Sequence, residues 1–399
     1  MKKSNSRSAL GARFIFMISI PMVFLSCASH PKNYDNALDF ALASPSRKIK
    51  KVLENTKAHE IQILFSTVAT NDEGDIEFED YSFQADTLQY FYPASTVKFP
   101  TAVLTLEKLN ALERSHTSNY QIKGGAKTYN FANAIASIFA VSDNEANNRL
   151  FEFLGSDFIN ASLKNKGIGP MRISHRLSTE NAARTTTSAL NIFTAGQDTL
   201  YIPAHTNEPP RPLVLHKIKK GKGFSSAQGI VSEPFDFSLK NYFSLSAQHE
   251  MIKRVIFPEA FKASERFLIS EEKRNFLLES MHKLPREQGY DPKVYYDSYG
   301  KFLWFGDTKK QLPKHVKIYN KVGYAYGTLT DCAFIEDRKN NLSYFVTATI
   351  LVNQNGIFND NNYEYDSIGI PFLAELGRQI HKYEKYRKKH SSISMSKGQ

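Results

Sequence analysis

Ser95 and Lys98 are the pair of residues whose types and spacing best suit covalent chemistry. They bound the tetrapeptide Ser95-Thr96-Val97-Lys98, which follows the turn-like run Phe91-Tyr92-Pro93-Ala94. If a helix begins at Ser95, the serine oxygen lies at the positive end of the helix dipole, and Lys98 lies one turn away on the same face. A lysine amine removed from water has a lowered pKa and can accept the serine proton. The spacing therefore predicts an activated serine nucleophile.

The Ser-x-x-Lys spacing alone is not specific, because this chain contains it six times. At Ser270 the two intervening residues are glutamates, and the segment fits a helix N-cap followed by an acidic first turn. The identification of Ser95 therefore depends on further motifs elsewhere in the chain.

Two further motifs could complete such a site. Ser142-Asp143-Asn144 occurs once, between two predicted helices, where a loop could direct Ser142 and Asn144 into a cleft; the same residue types also make an ordinary helix cap. Lys321-Val322-Gly323 lies on an alternating strand near the C-terminus. A strand edge there could place a cation and backbone N–H groups beside the nucleophile.

The elements that must position these motifs predict an α+β fold. Alternating or β-branched runs indicate strands near both ends of the chain, at 61–68, 75–83, 316–324, 329–335 and 343–352. Helical patterns fill most of the region between them and return at the C-terminal end, near 367–385. We therefore expect one antiparallel sheet closed by the C-terminal strands, flanked by helices, with a mainly helical subdomain.

The order of the three motifs resembles that of the penicillin-recognising serine enzymes, and most closely of class A β-lactamases. The stretch from Ser142 to Asn148 and the closing strands and helix resemble the same family, so the likeness spans roughly residues 45–385. It implies a β-lactamase/transpeptidase-like fold in which Ser95 is acylated and Lys98 helps to deprotonate it. It also implies that Ser142 relays a proton to the leaving nitrogen.

The resemblance further implies a set of substrate-binding residues. Asn144 would contact the substrate and Lys98, and Lys321 would supply positive potential for a substrate carboxylate. Gly323 and Tyr324 would complete this set, with the backbone N–H groups of Ser95 and Tyr324 as the oxyanion hole. Neither a metal nor another cofactor is implied, since no cluster of residues has metal-ligand spacing and no phosphate-binding glycine loop is present.

The sequence departs from the class A pattern at two places. Val322 stands where a threonine or serine is usual, which removes a hydroxyl donor for the substrate carboxylate. The family's Glu-x-x-Leu-Asn segment, which carries the deacylating base, is absent, and Thr187 stands where its glutamate would be. Glu180, in a run that resembles the start of the same loop, is the candidate base, with a solvated loop glutamate as the alternative.

The ends of the chain suggest export. Four cations precede the apolar run Phe14–Leu25, and Cys27 follows it, which resembles a lipoprotein signal; secretion with an incidental cysteine is the alternative. We expect a signal at 1–27, a linker at 28–44, the hydrolase domain at 45–385 with an insertion at about 184–240, and a basic tail at 386–399. The protein would then be a monomer in the cell envelope, anchored to a periplasmic or outer membrane through lipid on Cys27.

Three functions fit these observations. The first is a class A-like β-lactamase that opens a β-lactam amide. The second is a D-alanyl-D-alanine peptidase or an esterase with the same catalytic set, and the third is a non-enzymatic lipoprotein that binds cell-wall fragments. The formal net charge of +11 suits an anionic envelope, but no basic stripe is interleaved with aromatic residues, so nucleic acid is not an expected partner.

Overall fold

The computed structural model describes residues 30–396 of the chain, which contain both helices and strands. The α-helices of this part are α1 (Ala37–Leu42), α2 (Arg47–Leu53), α3 (Thr56–His59), α4 (Lys98–Ala111), α5 (Phe131–Val141), α6 (Asn144–Leu154), α7 (Ser156–Asn165), α8 (Leu245–Ile256), α9 (Glu271–His282) and α10 (Ile370–Ser396). The strands are β1 (Gln62–Thr70), β2 (Ile76–Phe83), β3 (Asn119–Ile122), β4 (Thr128–Asn130), β5 (Met171–Arg172), β6 (Leu190–Phe193), β7 (Leu200–Ile202), β8 (Lys219–Lys220), β9 (Gly223–Ser226), β10 (Gly229–Val231), β11 (Phe235–Asp236), β12 (Tyr242–Phe243), β13 (Val316–Ala325), β14 (Thr328–Asp337), β15 (Leu342–Leu351) and β16 (Ile357–Phe358).

One antiparallel sheet joins the two ends of the chain, as the sequence predicted. Its strand order is β13-β14-β15-β1-β2, and Ile63 of β1 faces Ala348 of β15 across the junction. Strands β14 and β15 are buried along nearly their whole length, because helices cover both faces of the sheet. The α+β fold with an antiparallel sheet is thereby confirmed.

The two faces of the sheet support separate hydrophobic cores. Helices α1, α2 and α10 cover one face, and residues such as Phe372 and Leu376 of α10 are fully buried there. On the other side, α4 lies within a helical subdomain with α5 to α9, and α4 buries apolar residues around most of its circumference. This burial holds the N-terminal end of α4, and with it the Ser95 turn, at the junction of the sheet and the helical subdomain.

Much of segment 28–44 folds into the domain, although the sequence predicted a linker there. Asn36 caps α1 by accepting a hydrogen bond from Asp39 N at 2.9 Å, and Leu38 and Phe40 are buried beside α10. The Tyr383 hydroxyl of α10 donates to Tyr34 O at 2.8 Å. The expected linker is therefore part of the fold, because α1 packs against α10 from the opposite end of the chain.

Two other boundaries also differ from the expected ones. Helix α10 continues to Ser396, so most of the expected basic tail at 386–399 is helical. Residues 184–240 do not form one separate insertion, because β6 pairs with β3 in a four-stranded sheet with the order β4-β3-β6-β7. The short strands β8 to β11 form the rest of this region, which reaches the cleft described below.

Within residues 30–396, no helix combines the length and the apolar character needed to cross a membrane.

Candidate active site

The turn that carries Ser95 has a strained backbone. Ser95 lies in a 3-10 turn, Ala94–Val97, that leads directly into α4. Ala94 has a φ of 48°, in the left-handed region that residues with a Cβ rarely adopt. Thr96 closes the turn by donating to Pro93 O from its N–H at 3.1 Å and from its hydroxyl at 2.8 Å. Such strain is typical of positions that hold a reactive group in a defined orientation.

Gly323 allows β13 to pass directly against this turn. A Cβ at Gly323 would lie 2.5 Å from Pro93 O and 2.9 Å from Ser95 N, so a side chain there would displace the turn. The glycine of the Lys-x-Gly motif therefore has a steric role. It brings the N–H groups of Ser95 and Tyr324 to the same corner of the site, where an oxyanion could lie between them.

Lys98 is fully buried, and its amine contacts the Ser-Asp-Asn motif. Nζ donates to Ser142 O, to Ser142 Oγ at 3.2 Å and to Asn144 Oδ1 at 2.6 Å. Burial lowers the pKa of Lys98 to about 7, although the nearby Asp143 carboxylate acts in the opposite direction. An amine with this pKa is substantially neutral near neutral pH, and a neutral amine can accept a proton.

Ser142 lies at the junction of α5 and α6, and its conformation directs its hydroxyl towards both buried lysines. It ends α5 with a φ of 58°, and Asp143 then caps α6 by accepting from Ala146 N at 3.0 Å. Lys321 Nζ donates to Ser142 Oγ at 2.9 Å and to Val322 O at 2.8 Å. The cap interpretation and the site interpretation of this motif are therefore compatible, because different residues of the motif serve each purpose.

Ser142 Oγ thus lies between two amines. Because two ammonium groups so close would repel each other, the neighbouring Lys98 adds to burial in lowering the pKa of Lys321, to well below its ordinary value. A hydroxyl between two amines that share protons can pass a proton from one to the other. The structure therefore brings Ser95, Lys98, Ser142, Asn144, Lys321, Gly323 and Tyr324 together around one cleft.

A buried polar network behind Lys321 escaped the sequence analysis. Lys301 Nζ donates to Ile318 O at 2.7 Å and to Asn320 Oδ1, and Asn320 Nδ2 donates to Asp331 Oδ1 at 2.7 Å. The other carboxylate oxygen of Asp331 accepts from Phe302 N at 3.0 Å. This network fixes the segment around residue 301 against β13 and β14. An acidic residue inside the otherwise apolar run Leu329–Ile335 was the available signal.

Glu180 does not belong to this cleft, and the prediction of a base at this position is wrong. Its side chain is exposed and lines a separate surface depression with Asn148, Arg149 and Arg184. The loop turns away at Ser178 and Asn181, which both have positive φ. Arg176 holds the start of the loop by donating to Glu152 Oε1 at 2.5 Å. Residues 175–179 and 182–183 line the cleft, whereas Glu180 and Asn181 do not.

We expect Glu180→Gln to leave both acylation and release of an acyl group unchanged within about twofold, because the carboxylate does not line the cleft that contains Ser95. Steady-state kcat and KM for a chromogenic ester measure this. Thr179→Ala, which changes the neighbouring residue that does line the cleft, is the matched comparison. A large fall in turnover of Glu180→Gln alone would show that the loop rearranges during the reaction.

The cleft in front of Ser95 is large and rich in tyrosine. Its volume is about 1310 Å³. The sequence analysis identified only Tyr324 among the eight tyrosines that line it, which are Tyr92, Tyr290, Tyr295, Tyr299, Tyr324, Tyr326, Tyr363 and Tyr365.

His175 also lines the cleft, but its ring nitrogen Nε2 accepts from Asn241 N at 3.2 Å, and burial lowers its pKa to about 4. A neutral histidine with an occupied ring nitrogen is not an available base.

Comparisons with known proteins agree with this architecture. Residues 44–199 match the family model described as the beta-lactamase enzyme family. No curated protein sequence matches the chain. Among solved structures, the TLA-3 extended-spectrum beta-lactamase has a TM-score of 0.51 at 14% identity, covering 84% of this chain and 97% of its own. A class A beta-lactamase from Bacteroides cellulosilyticus has a TM-score of 0.51 at 14% identity, covering 88% and 100%.

A beta-lactamase from Burkholderia phymatum has a TM-score of 0.51 at 13% identity, covering 86% of this chain and 99% of its own. At such low identity these likenesses show the fold. The β-lactamase-like fold that the order of the motifs predicted is thereby confirmed. The family match also continues past residue 184, which agrees with the pairing of β6 inside the helical subdomain.

Proposed function

Because the chain has the β-lactamase fold and carries a serine and two buried amines at one cleft, we propose that it is a serine hydrolase that works through an acyl-serine intermediate. The observation that carries the proposal is the position of Ser142 Oγ, 3.2 Å from Lys98 Nζ and 2.9 Å from Lys321 Nζ, beside the turn that presents Ser95. A β-lactam amide is the substrate class that the fold favours.

Acylation would proceed as follows. The neutral Lys98 amine accepts the Ser95 proton while Oγ attacks the substrate carbonyl carbon, and the resulting oxyanion accepts hydrogen bonds from the N–H groups of Ser95 and Tyr324. The carbonyl then re-forms, and the bond to the leaving nitrogen or oxygen breaks. Ser142 donates its proton to that leaving atom and regains one from the protonated Lys98.

Release of the acyl group would be the slower half of the reaction. Hydrolysis requires a base to take a proton from water, and neither Glu180 nor Thr187 can supply one at the cleft. Thr187 is buried, where its hydroxyl lies 3.0 Å from His205 Nδ1. Lys98, with a pKa of about 7, is the base that this cleft offers for both steps.

A peptidase or esterase with the same catalytic set is the second candidate function. The replacement of a hydroxyl donor by Val322, whose side chain packs in the core, favours the esterase, because a β-lactam and a D-alanyl-D-alanine peptide both carry a carboxylate that loses a hydrogen-bond donor. In both candidates Ser95 becomes acylated, and they differ in the leaving group.

Intact-protein mass spectrometry tests the shared intermediate. The protein is mixed separately with benzylpenicillin and with p-nitrophenyl acetate, and the mass is followed over time. We expect each reagent to add one acyl group, located on the Ser95 peptide after digestion, and the penicilloyl adduct to persist. An unmodified protein with both reagents would overturn the proposal.

The acylation rate should depend on the protonation of Lys98. Burial lowers the pKa of Lys98 to about 7, and the neutral amine is the base. As the pH rises through about 7 the neutral fraction increases, so we expect the rate to rise and then level off, and to fall about tenfold per unit at lower pH. Stopped-flow acylation from about pH 5 to 9 measures this profile. A rate independent of pH over this range would contradict the role of Lys98.

We also propose that the protein is exported and lipidated on Cys27, a residue outside the described part of the chain. The basic start, the apolar run and Cys27 support this proposal. In a bacterial host, the wild-type protein should incorporate a palmitate analogue and fractionate with membranes, whereas Cys27→Ser should do neither. Recovery of unlabelled wild-type protein in the soluble periplasmic fraction would support simple secretion instead.

A further inference from the structure

Six of the tyrosines at the cleft form two groups of three rings in contact, here together called the tyrosine belt: Tyr290, Tyr295 and Tyr299 in one group, and Tyr324, Tyr365 and Tyr363 in the other. Within it, Tyr295 lies 5.5 Å from Tyr290 and 4.9 Å from Tyr299 between ring centroids. Tyr365 lies 5.5 Å from Tyr324 and 5.3 Å from Tyr363. Most of these pairs are edge-to-face, so the belt presents both ring faces and ring edges to the cleft.

The two halves of the belt meet close to the nucleophile. Tyr299 and Tyr324 line the same cleft as Ser95, and burial, together with the Tyr324 phenol, raises the pKa of Tyr299 to about 12. Tyr324 directly follows Gly323 and is 47% exposed. The belt therefore runs past the position of the acyl-serine on one wall of the cleft, from the Asp143 end to the segment around Asn359.

Two of the tyrosines are held in place by backbone hydrogen bonds. The Tyr365 hydroxyl accepts from Gly327 N at 2.8 Å, and the Tyr363 hydroxyl accepts from Asn359 N at 2.7 Å. A tyrosine with a fixed ring offers a rigid, amphipathic contact area at little entropic cost on binding. The belt is thus organised before a ligand arrives.

The lining of the cleft carries no excess of positive charge. Its charged side chains are two carboxylates, Asp143 and Asp236, and two cations, Lys240 and Arg176. Arg176 is engaged with Glu152, and Lys240 lies on the same wall as Asp236. The remaining polar lining consists of neutral hydrogen-bonding groups: Asn144, Ser178, Thr179, Ser238, Asn359 and Asn361.

The position expected to hold a substrate carboxylate is also unsuited to an anion. Lys321 is only 2% exposed, and its amine is already bonded to Ser142 Oγ and Val322 O. Burial and the neighbouring Lys98 lower the pKa of Lys321 well below the ordinary value, because both disfavour its charged form. The Val322 side chain packs in the core on one side of the sheet. A carboxylate here would lose water without gaining a partner.

The size of the cleft points to a ligand larger than a drug. Pockets that enclose drug-sized molecules have volumes of about 300–1,000 Å³, whereas this cleft has about 1310 Å³. The belt, the neutral amides and the hydroxyls extend along this space. Ring faces combined with neutral donors and acceptors complement a chain of uncharged, hydroxyl-bearing rings.

We propose that the substrate of this site is an uncharged acyl ester carried on an oligosaccharide, whose sugar rings bind along the tyrosine belt. The inference rests on the proposed acyl-serine chemistry and specifies its substrate. Ser95 Oγ attacks the ester carbonyl, the saccharide hydroxyl leaves with a proton from Ser142, and water then releases the acid.

The first test compares esters of different size on the same protein. The substrates are acetylated cellotriose, acetylated glucose and p-nitrophenyl acetate, with acetate or p-nitrophenol release as the readout. We expect acetylated cellotriose to have a KM about tenfold or more below that of acetylated glucose. Tyr295→Ala and Tyr363→Ala should raise the KM for the trisaccharide about tenfold without changing kcat, a much larger rise than either variant causes in the KM for p-nitrophenyl acetate.

Tyr201→Ala is the control, because Tyr201 is a tyrosine on β7 that lies outside the cleft. It should leave all three substrates unaffected. Tyr295→Phe and Tyr363→Phe should retain most of the trisaccharide affinity, since the ring faces remain. Equal KM values for the two saccharides, or belt variants that do not raise the KM, would overturn the proposal.

The second test isolates charge. A chromogenic cephalosporin and its methyl ester differ only in the carboxylate, and we expect the neutral methyl ester to acylate Ser95 at least as fast as the free acid. A preference of tenfold or more for the acid, or for a D-alanyl-D-alanine peptide over the saccharide ester, would overturn the proposal. If p-nitrophenyl acetate does not acylate Ser95 at all, the proposed function itself fails, whereas acylation without saccharide preference refutes only this inference.

Discussion

Ser95→Ala is expected to abolish acyl-enzyme formation and to lower hydrolysis by about four orders of magnitude or more. The substitution removes the only atom that the proposed mechanism uses to form a covalent bond. It leaves the strained Ala94, the Thr96 bonds that close the turn and the cleft unchanged. Intact mass after treatment with p-nitrophenyl acetate, together with the rate of p-nitrophenol release, measures the loss.

The chain supplies a matched control in another of its Ser-x-x-Lys segments, from Ser270 to Lys273. Ser270 caps α9 by accepting from Lys273 N at 3.4 Å, so Ser270→Ala removes a cap and lowers stability by about 1 kcal/mol. Its acylation should equal that of the wild type. Acylation of Ser95→Ala at the wild-type rate would place the nucleophile elsewhere and remove the basis of the proposed function.

Lys98→Arg is expected to lower the rate of acylation by about 10²–10⁴-fold, the usual contribution of a general base. Arginine keeps the positive charge but does not lose its proton in proteins, so it cannot accept the Ser95 proton. Lys98→Met, which removes the charge and leaves an apolar chain of similar length, should show a loss of similar size. Stopped-flow acylation at about pH 8, where the wild-type amine is mostly neutral, gives the comparison.

Controls must separate the loss of a base from damage to the fold. Lys98 is fully buried, so circular dichroism and thermal unfolding should accompany the kinetics of both variants. Lys273→Met changes the lysine of the Ser-x-x-Lys segment that begins at Ser270, and this variant should be acylated at the wild-type rate. If either Lys98 variant is folded and acylates at the wild-type rate, Lys98 is not the base, and Lys321, on the other side of Ser142, becomes the candidate.

Sequence reasoning succeeded where the relevant geometry is local or repetitive. A spacing of three residues puts Lys98 one helical turn from Ser95 whatever surrounds them. Strand alternation identified β1, β2 and β13 to β15, because every residue of a strand reports which face it occupies. Sequence reasoning failed at the linker expected over 28–44, which packs against α10, and at Glu180, where positive φ values at Ser178 and Asn181 turn the loop.

The sequence by itself determined the order of the motifs, the class of the fold and the three-residue separation of Ser95 and Lys98, since these follow from the residue order and from backbone periodicity. Tertiary packing alone decided that Lys98 bonds to residues 44 and 46 positions away, and that Lys321 reaches Ser142 across 179 positions. It also decided that the tyrosine belt assembles from three distant segments, 290–299, 324 and 363–365. Local patterns cannot encode such convergence, because it depends on how helices and strands that are far apart in the chain bury one another.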